Sequence, residues 1–155
     1  AHLESEDESG LTPLSHAAMH GNEAAVRVFI QKGAIVEPKT YLDPPSDDIQ
    51  PLSLAARNGH AAVVRLLVET GGARPDSTDS GGRNAIIHAA QEGHEGIVRY
   101  LLEKGAEMES ENIEERSLLS FGAEGGKSSC LRPIRLLLKN GARVDAKDGR
   151  GQTLL

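Results

Sequence analysis

The chain has 155 residues, a net charge of −6, 3% aromatic residues, no Trp and a single cysteine. The negative charge argues against non-specific binding to nucleic acid or to an anionic membrane, both of which need a basic face. Cys130 cannot close an internal disulfide. No apolar run approaches the roughly 20 residues of a membrane span, and the polar opening Ala1–Gly10 does not read as a signal peptide. With few large rings, the apolar content falls to Ala, Leu, Val and Ile. Together with 17 Gly, this predicts short, closely packed helices separated by many turns.

From Gly10 the chain reads Gly-Leu-Thr-Pro-Leu-Ser-His-Ala-Ala-Met-His-Gly, then Val26, Val28, Phe29 and Ile30, ending at Gly33-Ala34. Pro13 suits a first helical turn, where no N–H is needed, and Thr12 precedes it as N-cap. Ala17 and Ala18 are small enough to let this helix lie close to its neighbours, and Gly21 ends it. Apolar spacing at i, i+3 and i+4 predicts a second helix, closed by Gly33. The following stretch, Lys39 to Asp48, is a hairpin insertion; Tyr41, Leu42, Pro44 and Pro45 make either a stiff apolar tip or a tolerated surface insertion. A second pass runs from Gln50-Pro51-Leu52 through Ala55-Ala56 and Gly59-His60. Val63, Val64, Leu66, Leu67 and Gly72-Ala73 complete it. The third has Asn84-Ala85-Ile86, Ala89-Ala90, Gly93-His94, Ile97, Val98, Leu101, Leu102 and Gly105-Ala106. A degraded fourth copy starts at Ser117-Leu118, replaces Ala-Ala by Phe121-Gly122 and inserts Lys127 to Cys130. It ends with Ile134, Leu136, Leu137, Leu138 and Gly141-Ala142. A fifth opens at Asp148 and stops at Leu155. Leu14, Leu52, Ile86, Leu118 and Leu155 are equivalent, with spacings of 38, 34, 32 and 37, a base period of about 33 with insertions.

The pattern Asp-x-x-Gly-x-Thr-Pro-Leu-x-x-Ala-Ala-x-x-Gly, then Val-x-x-Leu-Leu and Gly-Ala, resembles the ankyrin repeat. Asp7 through Ala18 follows it nearly throughout, and the resemblance extends over roughly residues 7 to 155. It implies an all-α repeat solenoid, a stack of antiparallel helix pairs with β-hairpin loops projecting at about a right angle. A single domain, 1–155, would hold repeats at about 7–39, 45–78, 79–110 and 111–147, with a partial repeat at 148–155. Ser15 and Ser53 depart from the family's usual His, while His16 and His88 fall one place later. One repeat cannot bury its own apolar face, so its neighbours must. The unfinished copy at Leu154-Leu155 reads as a chain cut from a larger protein; the other reading is a short docked stub.

Few motifs invite chemistry. Gly122 to Ser128 resembles a phosphate-binding loop but has three residues, not four, before Gly-Lys, and no strand precedes it. It is read as the inter-helix turn of the fourth copy. His16 and His20, four apart on a helix, have a spacing that can share a metal. The structural reading is that His16 and His88 are packed and hydrogen-bonded, with His20 exposed. His60 and His94 follow a turn glycine and are read as opening the second helix. No Ser/His/Asp or Cys/His set can be assembled, and Asp47-Asp48 and Glu114-Glu115 are adjacent loop carboxylates without fixed geometry. Cys130 is a half-buried thiol near an irregular loop. No catalytic residue, metal or cofactor is therefore expected. Arg27, Arg65, Arg99 and Arg135 recur at one position on the second helix, and Arg65 and Arg99 are expected to pair with Glu69 and Glu103.

The resemblance implies a non-enzymatic protein–protein interaction module that binds through its concave face, made by hairpin tips and exposed ends of inner helices. Transferred by register, the partner-binding positions are Glu8, Leu11, Met19 and His20, then Asp47, Ile49, Arg57 and Asn58. Arg83, Gln91 and Glu92 follow from the third copy, and Ile113, Glu115 and Glu124 from the fourth. Acidic hairpins favour a partner with a basic surface. No nucleic acid or membrane partner is expected, and the chain is expected to be a monomer inside the cell, in cytoplasm or nucleus. An alternative is a regulatory or targeting segment of a larger multidomain enzyme or receptor whose activity lies elsewhere.

Overall fold

Three of the described helices begin where a short polar side chain satisfies a free backbone N–H group. The computed structural model describes residues 2–37, 50–79, 83–106 and 131–140. Thr12 Oγ1 accepts from the Ser15 N–H at 3.2 Å to open α1 (Pro13–Met19). Asn22 opens α2 (Glu23–Gln31), and Asn84 opens α5 (Ala85–Glu92), each accepting an N–H three residues on at 3.1 Å. Pro51 starts α3 (Pro51–Arg57). The remaining helices are α4 (Ala61–Glu69), α6 (Glu95–Glu103) and α7 (Leu131–Lys139). The seven helices among the described residues are as the repeat implies: α1, α3 and α5 pack side by side as an inner layer, and α2, α4, α6 and α7 as an outer one.

Among the described residues there is no extended strand, only an antiparallel bridge between Thr78 and Asn84. The insertion at 39–48, the loop Gly122–Ser128, Cys130 and the partial copy 148–155 lie outside the described residues.

Two features hold neighbouring repeats in register. The first is apolar: Leu14, Ile86, Ala18, Ala56, Ala90, Val64, Val98, Leu67 and Leu101 are all fully buried. Burying a side chain of the Leu or Val kind contributes about 1.5–3 kcal/mol, whereas an isolated seven-residue helix is not stable in water. The second is polar. His60 Nε2 donates to the Met19 carbonyl at 3.0 Å, and His94 Nε2 donates to the Arg57 carbonyl at 2.9 Å. Each imidazole thus satisfies an end carbonyl of the preceding inner helix. The ring lies against the turn glycine of that repeat: Gly59 has φ +80°, and a Cβ there would meet His94 Cε1 at 2.7 Å. Only glycine fits both the backbone and the neighbour.

The outer face differs from the expected Arg–Glu pairing. Arg27 and Arg99 pair backwards, with Glu23 at 3.0 Å and Glu95 at 2.9 Å. Arg65 instead lies over the Tyr100 ring, 4.5 Å from its centroid. The physical reason is orientation: Glu placed before Arg at i, i+4 is the better arrangement on a helix, and Arg65 has Ala61 at that place. Glu69 accepts from the Tyr100 hydroxyl at 3.0 Å and lies 3.6 Å from Lys104. Burial, then the neighbouring Glu69, pushes the Tyr100 phenol up to about 12.

The two kinds of turn glycine separate backbone cost from neighbour cost. Gly33 has φ +84° with nothing near its Cβ position. Gly33→Ala is expected to lose roughly 1–2 kcal/mol from the left-handed backbone alone. Gly59→Ala should lose about 2–4 kcal/mol, because the His94 ring must also leave its carbonyl. Urea unfolding of both variants checks this; equal losses would show that the imidazole adds nothing.

Candidate functional site

The surface begins with two loops built alike. The Asp7 N–H donates to the Leu11 carbonyl at 3.1 Å, and Asp7 Oδ1 accepts from the Ser9 and Leu11 N–H groups at 2.8 and 3.0 Å. In the third repeat the Asp79 N–H donates to the Arg83 carbonyl at 2.9 Å, and Asp79 Oδ1 accepts from the Arg83 N–H at 2.8 Å. The other carboxylate oxygen of each Asp accepts from an imidazole nine residues later. His16 Nε2 reaches Asp7 at 2.7 Å, and His88 Nε2 reaches Asp79 at 3.0 Å. Each carboxylate therefore pins its loop to the inner helix that follows. The second copy carries Pro45 and Leu54 at these places, so carboxylate and imidazole are absent together.

Burial divides the two pairs. The side chains of Asp79 and His88 are both 2% exposed, and the Arg83 Nε also donates to Asp79 at 3.0 Å. Donors from Arg83 and His88 compensate a desolvated carboxylate, as a buried charge requires. Asp7 and His16 are 41% and 43% exposed. His88 thus has the packed role expected of both histidines, while His16 has the hydrogen bond without the burial. The Leu11 N–H first, and the His16 imidazole next, hold the Asp7 carboxyl below its ordinary 3.8.

His20 is exposed, as expected, and its ring stacks on His16 with centroids 6.3 Å apart and planes inclined by 15°. His16 Nε2 is on Asp7, and His20 Nδ1 donates to the His16 carbonyl at 2.9 Å. The two imidazoles lie parallel and do not converge. Among the described residues no group of three or more His, Cys, Asp or Glu is arranged to hold a metal.

Most of the predicted contact residues fall at the ends of the inner helices. Met19 and His20 close α1, Arg57 and Asn58 close α3, and Gln91 and Glu92 close α5. The backward links from His60 and His94 draw the three ends together. His20, Arg57 and Asn58 are exposed, and Met19, Gln91 and Glu92 are half-buried. Asn58 Nδ2 donates to the Leu54 carbonyl at 2.8 Å, so part of its amide serves its own helix. Glu8 is exposed and Leu11 half-buried in the first loop. Arg83 is half-buried with its guanidinium held on Asp79. Asp47, Ile49, Ile113, Glu115 and Glu124 lie outside the described residues.

Sequence reasoning missed what organises this surface. The recurrence of Asp and His nine residues apart was present at Asp7/His16 and Asp79/His88. So was the His after the turn glycine, whose reach into the previous repeat no spacing rule reveals.

With this geometry in view, a family model for ankyrin repeats (3 copies) matches residues 1–79 and 37–112. The chain belongs to the ankyrin-repeat family. Domains of this family are generally protein–protein interaction modules and are typically non-catalytic. A search among curated proteins returns no match. Among the described residues no helix is long and apolar enough to cross a membrane.

A lowered carboxyl pKa means that the folded state favours the charged form. The Asp7 contribution is therefore present above pH 3.8 and is lost as the pH falls below it. Asp7→Asn is expected to flatten the acid limb of stability in that range. Asp79→Asn, which strands a buried imidazole and a half-buried guanidinium, should cost about 2–4 kcal/mol at neutral pH. Denaturant unfolding across pH 2 to 7 tests both, and an unchanged acid limb in Asp7→Asn would remove this role.

Proposed function

We propose that the chain recognises a partner protein through the surface formed by the inner-helix ends and the hairpin tips. The observation that carries the reading is a contrast within each inner helix. Buried positions repeat as Leu or Ile and Ala-Ala, whereas the ends read Met19-His20, Arg57-Asn58 and Gln91-Glu92. Packing constrains the former; the latter are accessible and individually different, side by side on rigid supports. Glu8 and Leu11 extend the surface along the first loop. By register, Asp47, Ile49, Ile113, Glu115 and Glu124 continue it, in a single domain with repeats at about 7–39, 45–78, 79–110 and 111–147 and a partial one at 148–155. Arg83 belongs to the same rim, oriented by Asp79.

Met19 and Leu11 supply apolar anchors, and the acidic tips favour a basic partner surface whose encounter quickens at low salt. The module acts as a monomeric intracellular scaffold without a cofactor.

The test is a comparison of the chain with a Met19→Asp, Arg57→Glu variant in affinity capture from cell lysate. Partner recovery should fall at least about tenfold, a loss of about 1.4 kcal/mol or more, while circular dichroism and melting stay unchanged. Equal recovery by both would move the binding site off the inner-helix ends.

A further inference from the structure

Among the described residues, the first repeat is covered on one side only. Its residues correspond to those of the second and third repeats at offsets of 38 and 72. Val28 is 50% exposed, whereas Leu66 and Tyr100 in the same place are 6% and 5% exposed. Ala25 and Phe29 are half-buried, while their counterparts Val63, Ile97, Leu67 and Leu101 are buried. Ile30, Val68 and Leu102 are half-buried in all three repeats, so α2 is not simply looser throughout. Tyr100 gives the direction of the open side: its hydroxyl and ring rest on Glu69 and Arg65 of the preceding α4. Val28 therefore faces the place that a helix stacked before α2 would fill.

A second observation comes from residues 2–5. Ala1-His2-Leu3-Glu4 aligns with Ala34-Ile35-Val36-Glu37, the arm that leaves an outer helix. Glu4 accepts from the Ile35 N–H at 2.8 Å, as Glu37 accepts from the Arg74 N–H at 2.7 Å. The Ser5 N–H donates to the His2 carbonyl at 3.3 Å, matching Ser77 and Arg74 at 3.2 Å. Leu3 packs against the core. These residues thus make the bonds that an outer helix's exit arm makes elsewhere in the stack.

We propose that this open face is a docking surface for one further ankyrin-type helix pair, stacked on α1 and α2 in the register of the internal repeats. Its outer helix lies against Val28 and Phe29, and its inner helix covers His16, whose counterpart His88 is already buried. The junction is weaker than those inside the stack. Asn22 stands where His60 and His94 do, and it caps its own helix through the Ala25 N–H, leaving no imidazole to reach back.

The test extends the full chain before Ala1 with a copy of residues 50–72, so that Ala1 follows the copied glycine as Ala73 follows Gly72. The extended chain should melt in one transition, with Tm raised by about 3–6 °C. Val28→Lys should lower the Tm of the extended chain by about 5 °C and leave that of the original chain within about 1 °C. Asn22→His should raise the Tm of the extended chain alone, by restoring the backward link. A separate transition for the added pair, or Val28→Lys acting equally on both chains, would overturn the proposal. So would a concentration-dependent dimer of the original chain that Val28→Lys abolishes, which would assign the face to a second copy.

Discussion

A helix of seven residues has too few internal hydrogen bonds to repay the cost of its nucleation, and α1 and α3 are both of that length. Their stability is borrowed from the neighbours on which they lie. Ala-Ala on each inner helix lets the axes approach closely, and the outer helices close over the gap with Leu and Val. The remaining features of the structure follow from that dependence: turns that must not protrude, carbonyls that need a donor from next door, and loops that must be pinned at the edge of the stack. The stability of such a stack is approximately a sum over repeats and the junctions between them.

The polar links follow from the same constraint. An inner helix ends with free carbonyls beside the next repeat. An imidazole supplied by that next repeat answers the need, and a glycine makes room for the ring. At the other end of the inner helix, Asp79 and His88 do comparable work for the hairpin loop. Both devices spend a titratable side chain on architecture. His60 and His94 each hold a backbone carbonyl, and His16 and His88 each hold a loop carboxylate.

Much of the fold was legible because helix starts and stops have local causes. Thr12, Pro13, Pro51 and the positive-φ glycines act within three or four residues of where they stand, so the spacing of apolar residues and turns locates the helices. What crosses from one repeat to the next was not legible. The His60 bond to Met19, the Glu37 bond to Arg74 and the seat of Arg65 on Tyr100 each join residues 35 to 41 positions apart. Local spacing even suggested the wrong partner for Arg65 and Arg99, because the orientation of an i, i+4 pair matters as well as its distance. For the candidate surface, register named the ends of the inner helices. It could not foresee that Arg83 and Asn58 already serve the frame.

The backward links also separate length along the chain from length along the stack. His60 reaches a carbonyl 41 residues earlier and His94 one 37 residues earlier, yet the two bonds measure 3.0 and 2.9 Å. The four extra residues of the first junction are absorbed wholly outside the link, and lengthening a loop carries only a slowly growing entropic cost. The hairpin between two repeats is thus a free variable. Its size and chemistry can drift while the links between inner-helix ends keep their length, which gives such a chain a way to acquire new specificity without renegotiating its core.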